Sequence, residues 1–312
     1  MARWGSSDIP DQTGRTALVT GANSGLGLSS AEALARKGAA VLMACRNPTR
    51  AEAARARVAA VATGPAPVTV SLDLADLASV RAVVAEVAEH TEVLDVLLNN
   101  AGIMAPPLSR TTDSYEMQFG TNHLGHFALT GLLLPTLLRA DRPRVVTTSS
   151  TMHRIGDHGW DDPGYDTRAY RRWPAYGRSK LANLLFTREL ARRAADAGSG
   201  LVSAAAHPGY ASTHLQTTGA RSSGDLLGRA SAAVMAIGNG LVAQSAQAGA
   251  MPQLYAATMP DVAAGDYFGP DGPFEMRGSP KRVGTTAAAR DDAAAQRLWS
   301  LSEDLTGVTY GW

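Results

Sequence analysis

Short apolar, β-rich runs alternate with longer alanine- and leucine-rich stretches of helical period, and a glycine-rich turn joins the first run to the first helix. This pattern constrains the fold more than any other feature. The predicted strands cover residues 16–20, 40–45, 68–72, 94–98, 144–148 and 201–206, and the predicted helices 25–37, 49–61, 78–90, 117–139 and 176–197. Strands separated by helices rather than by tight turns must cross over, so they pair in parallel with helices on both faces. The expected fold is therefore α/β: a single Rossmann-type doubly wound parallel sheet flanked by helices on both faces, with a short C-terminal extension. Residues 152–174 and 213–228 break the rhythm and read as loops, and 241–259 and 287–304 read as helices around a turn-rich 266–278. With no repeat and no clear linker, the expectation is one domain over 1–312, with its core at about 15–259 and its extension at about 260–312.

Charge and cysteine content remove several function classes. A net charge of +1 over 312 residues gives no general electrostatic footprint for nucleic acid or an anionic membrane. The one cysteine, Cys45, forms no internal disulfide, and no cysteine cluster suggests zinc, so the cytoplasm is the default compartment. Residues 1–14 contain no apolar targeting core, and no uninterrupted apolar run reaches membrane-spanning length, so stable membrane insertion is not expected.

Chemistry enters at Thr20-Gly21-Ala22-Asn23-Ser24-Gly25-Leu26-Gly27. Residues without a Cβ let backbone approach a pyrophosphate, and the helix N-terminus beyond offers unpaired N–H groups and a positive dipole end. Gly21, Asn23, Ser24, Gly25, Leu26 and Gly27 are thus candidate cofactor contacts, although a tight structural connection explains such a turn equally well when it stands alone. The spacing is TGxxxGxG rather than GxGxxG, and no GxxxxGK[ST] loop occurs, which disfavours a nucleotide triphosphatase. At the end of the second strand, where an acidic side chain would hold the ribose hydroxyls of NAD, stand Cys45 and Arg46. A guanidinium there suits the 2′-phosphate of NADP, so NADP(H) is preferred and NAD(H) is the alternative; a solvated strand-end charge is the plainer account of Arg46.

Tyr176 and Lys180 are four residues apart and share a helix face. A phenol near pKa 10 is a poor acid or base at neutral pH, and a neighbouring ammonium is expected to shift it downward. Alone such a pair is usually structural. Its context is Asn99-Asn100-Ala101-Gly102 after the fourth strand and Ser149-Ser150 after the fifth, at the sheet edge where ligands bind.

The ordered set TGxxxGxG, NNAG, a strand-ending serine pair, YxxxK and His207-Pro208-Gly209 closely resembles the short-chain dehydrogenase/reductase family over Arg15 to about Met259. Ala44-Cys45-Arg46-Asn47, Thr121-Asn122-His123-Leu124-Gly125-His126-Phe127 and Ser179-Lys180-Leu181-Ala182-Asn183 resemble its retinol-dehydrogenase-like branch. The resemblance implies an oxidoreductase in which a nicotinamide delivers hydride to a carbonyl carbon, Ser150 holds the substrate oxygen and Tyr176 moves its proton. It implies further that Lys180 binds the nicotinamide ribose and that Asn122 holds a water relaying protons toward Lys180. Asn100, Ala101 and Gly102 would lie along the cofactor, Asp73 and Leu74 near the adenine, and Pro208, Gly209 and Thr213 around the nicotinamide.

No metal is called for, and none of the seven histidines is assigned to catalysis; His123 and His126 are expected to pack or cap. The long separation of Ser150 from Tyr176 makes 152–174 an expected substrate wall. In it Trp160, Tyr165, Tyr170 and Trp173 either line an apolar cleft or pin the loop to the core; residues 213–228 are a candidate lid. The expected partner is a small, apolar carbonyl or alcohol substrate. A homo-oligomer through the apolar helices at 124–138 and 181–190 is also expected, ordinary core being the alternative. Two other functions compete: a non-catalytic dinucleotide-binding sensor, in which the tyrosine or lysine is usually lost, and a nucleotide-sugar epimerase or dehydratase, whose glycine spacing differs.

Overall fold

The structure, a computed structural model, describes residues 4–210 and 244–312. Among them eight strands form one sheet in the order β3-β2-β1-β4-β5-β6-β7-β8. The strands are β1 (Thr16–Thr20), β2 (Ala40–Cys45), β3 (Val68–Ser71), β4 (Val96–Asn99), β5 (Arg144–Thr148), β6 (Val202–Ala206), β7 (Tyr267–Pro270) and β8 (Pro280–Arg282). All neighbours pair in parallel except β7 and β8, so the expected parallel sheet ends in one antiparallel strand.

The helices are α1 (Gly25–Arg36), α2 (Pro48–Ala59), α3 (Leu77–Ala88), α4 (Met117–Phe119), α5 (Gly125–Leu137), α6 (Arg172–Asp196), α7 (Ala246–Thr258) and α8 (Asp292–Thr306). Successive strand residues feed opposite layers, as the two-residue period requires. Ala17 and Val19 pack with Leu34 of α1 and Leu254 of α7, while Leu18 packs with Val83 of α3, Phe127 of α5 and Leu190 of α6. Side chains buried on both faces explain why these strands read as continuous apolar runs. The apolar residues of α5 and α6, Leu129, Leu133, Leu134, Leu181, Leu185 and Leu190 among them, are buried within the chain itself, which accounts for them as core.

Three elements differ from expectation. The helix predicted over 117–139 is interrupted by a π-helical turn, Gly120–Leu124, between α4 and α5. The helix predicted from 176 begins at Arg172, a turn earlier, so Tyr176 stands inside α6. The turn-rich 266–278 contains β7, a strand of four residues ending in Pro270, which pairs with Pro280 of the edge strand β8 where a missing N–H is tolerated. Residues 260–312 thus lengthen the sheet, and α8 places Trp299 against Phe127 and Phe186, with Tyr310 donating to the carbonyl of Phe127 at 2.7 Å. No helix among the described residues is long and apolar enough to cross a membrane.

Candidate active site

The strand order reverses at β1, which lies between β2 and β4, and the turns following β1, β4, β5 and β6 converge at that edge. Gly21 stands in the left-handed region (φ 67°), and a Cβ there would lie 3.0 Å from the Cβ of Ala101. At Gly27 a Cβ would come within 2.3 Å of the Gly21 carbonyl oxygen and 2.5 Å of Asn100 Nδ2, so any side chain would force the turn apart. Ser24 caps α1 without a side-chain hydrogen bond, which leaves first-turn N–H groups for another acceptor. Thr20 joins this turn to the one after β4: its hydroxyl accepts the N–H groups of Asn100 and Ala101, both at 2.9 Å, and its carbonyl accepts Asn100 Nδ2 at 2.8 Å. Asn23, Ser24, Gly25, Leu26 and Gly102 therefore share one edge with Asn100 and Ala101. Arg46, at the end of β2, has a side chain 73% exposed and lies 3.8 Å from the Asp73 carboxylate, a contact too solvated to hold it firmly. Leu74, next to Asp73, is buried and packs against Gly125, whose absent Cβ would meet the Leu74 carbonyl.

Ser150, Tyr176 and Lys180 come together across the ends of β5 and α6. Ser150 caps a 3₁₀ turn, Thr151–Ile155, and its hydroxyl accepts the Met152 N–H at 3.2 Å. Ser149 is buried and donates to the Lys180 carbonyl at 2.8 Å, so the two serines of the pair have different surroundings. Lys180 donates to the Thr148 carbonyl at 3.0 Å, and its ammonium lies 5.7 Å from the centre of the Tyr176 ring.

The expected lowering of the phenol is not found. Burial pushes Tyr176 up to about 12, with the Ser150 hydroxyl opposing it, and burial also pulls Lys180 down to about 8. Both groups lose water, and the ammonium, 5.7 Å from the ring centre, bonds the Thr148 carbonyl, so desolvation outweighs its pull on the phenol.

Asn122 lies in the π turn, fully buried. Its Nδ2 donates to the Ile103 carbonyl and to Ser179 Oγ, both at 3.0 Å, and its Oδ1 accepts the Ile103 N–H at 2.8 Å. Ser179 in turn donates to the Tyr176 carbonyl at 2.8 Å. The chain from the post-β4 loop to the tyrosine thus runs through Asn122. Pro208 and Gly209 follow β6; Gly209 has φ 66° and its N–H donates to His207 Nδ1 at 3.1 Å, while His207 Nε2 donates to Glu275 at 3.0 Å. Thr213 and the candidate lid at 213–228 lie outside the described residues.

Of the four aromatics in 152–174, three pin the loop. Trp160 stacks on Phe119 at 5.9 Å, Tyr165 lies under the Arg178 guanidinium at 4.5 Å, and Tyr170 accepts from Gln118 at 2.9 Å. Only Trp173, 43% exposed and edge-on to Tyr176 at 6.4 Å, stands at the site. His153, read as a loop residue, is buried in the 3₁₀ turn and donates to the Ser150 carbonyl at 2.7 Å.

Two polar residues that sequence reasoning did not place here also meet the site. His126 bridges Thr20 and Asn122, and Gln253 of α7 contacts Ser30, Asn100 and Thr148 at 2.8, 3.1 and 2.9 Å. A glutamine in an alanine-rich helix carries no sequence signal of such a role. His126 does carry one, since its four-residue spacing from Asn122 places both on one helix face.

A family profile described as short chain dehydrogenase matches residues 15–222. Retinol dehydrogenase 14 of Homo sapiens is 39% identical over 310 residues, covering 95% of this chain and 87% of that protein. A crystal structure of an uncharacterized protein from Mycobacterium Paratuberculosis is 42% identical, covers 100% of both chains and superposes with a TM-score of 0.81. A structure from Beutenbergia cavernae, described as an NAD(P) dependent gluconate 5-dehydrogenase with NADP bound at low occupancy, is 27% identical. It covers 80% of this chain and 91% of its own, with a TM-score of 0.60.

Proposed function

The chain belongs to the short-chain dehydrogenase family, in its retinol-dehydrogenase-like branch, and is an oxidoreductase acting on CH–OH or C=O groups; from that premise we propose an NADP(H)-preferring carbonyl reductase or alcohol dehydrogenase with Tyr176 as its general acid and base. The observation that carries the proposal is the burial of Tyr176 and Lys180 together on one face of α6, with Ser150 across from them.

The residues at the strand ends fit a dinucleotide. The turn at Gly21 and Gly27 has no room for a Cβ, and the N-terminus of α1 beside it is a place for a pyrophosphate. Arg46, solvated and weakly paired, is free to turn to a 2′-phosphate, in keeping with the NADP bound to the Beutenbergia relative. A bound reduced nicotinamide would supply the hydride.

The chain's own part is positioning and protonation. Ser150 holds the substrate oxygen, and the phenol, kept protonated by burial, gives its proton to the oxygen as charge develops there. The Lys180 ammonium stabilises the phenolate left behind, and Asn122 holds the loop and helix that carry these groups in register. In the oxidising direction the same proton returns to Tyr176. Trp173 beside Tyr176 suits an apolar aldehyde or ketone, consistent with the name of the human relative. Cys45 is buried, with its thiol pushed up to about 11 by desolvation, and is given no redox part.

The test is nicotinamide absorbance with NADPH or NADH and a panel of aldehydes and ketones. Substrate-dependent oxidation is expected, faster with NADPH, and Arg46→Ala should raise the KM for NADPH about tenfold while leaving that for NADH nearly unchanged. Tight binding of NADPH without turnover of any carbonyl would instead favour a sensor.

A further inference from the structure

His126 is 1% exposed and stands in the first turn of α5, within reach of Thr20 at the end of β1. Its Nδ1 is 3.1 Å from the Asn122 carbonyl oxygen and its Nε2 is 3.0 Å from Thr20 Oγ1. A carbonyl only accepts, so Nδ1 carries a proton. The Thr20 hydroxyl already accepts two backbone N–H groups, from Asn100 and Ala101, which occupies both its lone pairs. Its one proton goes to Nε2 at 3.0 Å in preference to the Leu98 carbonyl at 3.3 Å. A doubly protonated ring would aim Nε2–H at a saturated oxygen, so the ring is neutral, with its proton on Nδ1. Burial acts in the same direction, pulling His126 down to about 4, and the nearby Lys180 charge adds to it.

We propose that His126 is a positioning residue that ties Thr20, and with it the glycine-rich turn and the Asn100–Gly102 strip, to Asn122 and the chain leading to Tyr176. The dinucleotide cradle at the end of β1 and the proton-transfer group carried by the π turn and α6 also meet where Asn122 holds the post-β4 loop and where Gln253 joins Asn100 to Thr148; His126 is the side chain that links Thr20 itself to the π turn. The imidazole spans them with one donor and one acceptor at fixed separation. No other side chain does both: asparagine places its amide near the position of Nδ1, and glutamine near that of Nε2. His126→Asn therefore keeps the bond to Asn122 and loses the one to Thr20; His126→Gln does the reverse; His126→Phe loses both while keeping a planar ring.

The inference rests on the proposed NADP(H)-dependent reaction, and its test separates the two. NADPH affinity is measured by fluorescence titration without substrate, and kcat and KM with a turned-over carbonyl. His126→Phe should weaken NADPH binding and lower kcat, each about five- to tenfold. His126→Gln, which keeps the bond to Thr20, should restore the affinity in full and kcat in part, and His126→Asn, which frees Thr20, should restore neither. Identical losses in all three variants, or values within twofold of the parent, would overturn the proposal; if His126→Phe does not fold, the Asn and Gln pair decides. A parent that binds NADPH but reduces nothing contradicts the reaction and leaves the affinity arm to judge His126. Independently, ¹⁵N resonances of the imidazole should show a protonated Nδ1 and a bare Nε2 across the neutral range; a proton on Nε2 sinks the proposal whatever the enzyme turns over.

Discussion

Lys180 has its ammonium out of water, bonded to the Thr148 carbonyl, and its pKa is pulled down from 10.5 to about 8 by burial. Between those values the unfolded chain carries a proton that the folded one lacks, so stability rises with pH from about 8 toward 10.5. Lys180→Met should lower turnover about a hundredfold or more and yet raise stability at neutral pH by a few kcal/mol, abolishing the alkaline rise. Urea midpoints across the alkaline range check this; a destabilised variant would mean that the ammonium contributes to the fold. At this scale the residue types were legible: the spacing of Tyr176 and Lys180 and the serine pair can be read directly from the chain. The direction of the Tyr176 shift was not, because it depends on how far burial outweighs the ammonium, and only the folded arrangement sets that balance. For the same reason His126 passed as a packing residue: its partners Thr20 and Asn122 lie on different elements.

The turn from β1 to α1 is an element whose conformation is fixed by what its backbone touches. A methyl group at Gly27 would sit 2.3 Å from the Gly21 carbonyl oxygen, a backbone atom that cannot swing aside. Gly27→Ala should destabilise the chain by roughly 1–3 kcal/mol and weaken NADPH binding at least about tenfold, measured by thermal melts with and without NADPH. A variant that still gains the parent's thermal shift would show that the cradle lies elsewhere. Strand and helix alternation placed most elements within a residue or two, as with β1, β2 and β5. The break between α4 and α5 was invisible because 117–137 is buried on almost every side, polar residues included, so no periodicity marks the extra residue of the π turn. That turn brings Asn122 to the site, in line with the tendency of such bulges to occur at functional positions.

Among the described residues, four buried histidines are lowered from 6.5 chiefly by desolvation: His123 to about 3, His126 and His207 each to about 4, and His153 in the same direction. Below about 6.5 the unfolded chain takes up protons that the native chain refuses, so stability falls as pH drops from about 6.5 toward 4. The urea midpoint should fall steeply between pH 7 and pH 5, with a linkage slope of about three protons or more; a flat profile would mean these rings are hydrated. The global sheet was legible from the rhythm of apolar runs, whereas β7 and β8 were hidden by their shortness and by Pro270 and Pro280. The packing of α8 through Trp299 against α5 and α6 depends on long-range contacts that local pattern does not encode. If Tyr176 moves the proton while the rest of the site holds the reactants, Tyr176→Phe removes the one group that the reaction cannot replace. This variant should bind NADPH with unchanged affinity and lose about a hundredfold or more in kcat. A Tyr176→Phe protein that reduces carbonyls at the parent rate would contradict that role.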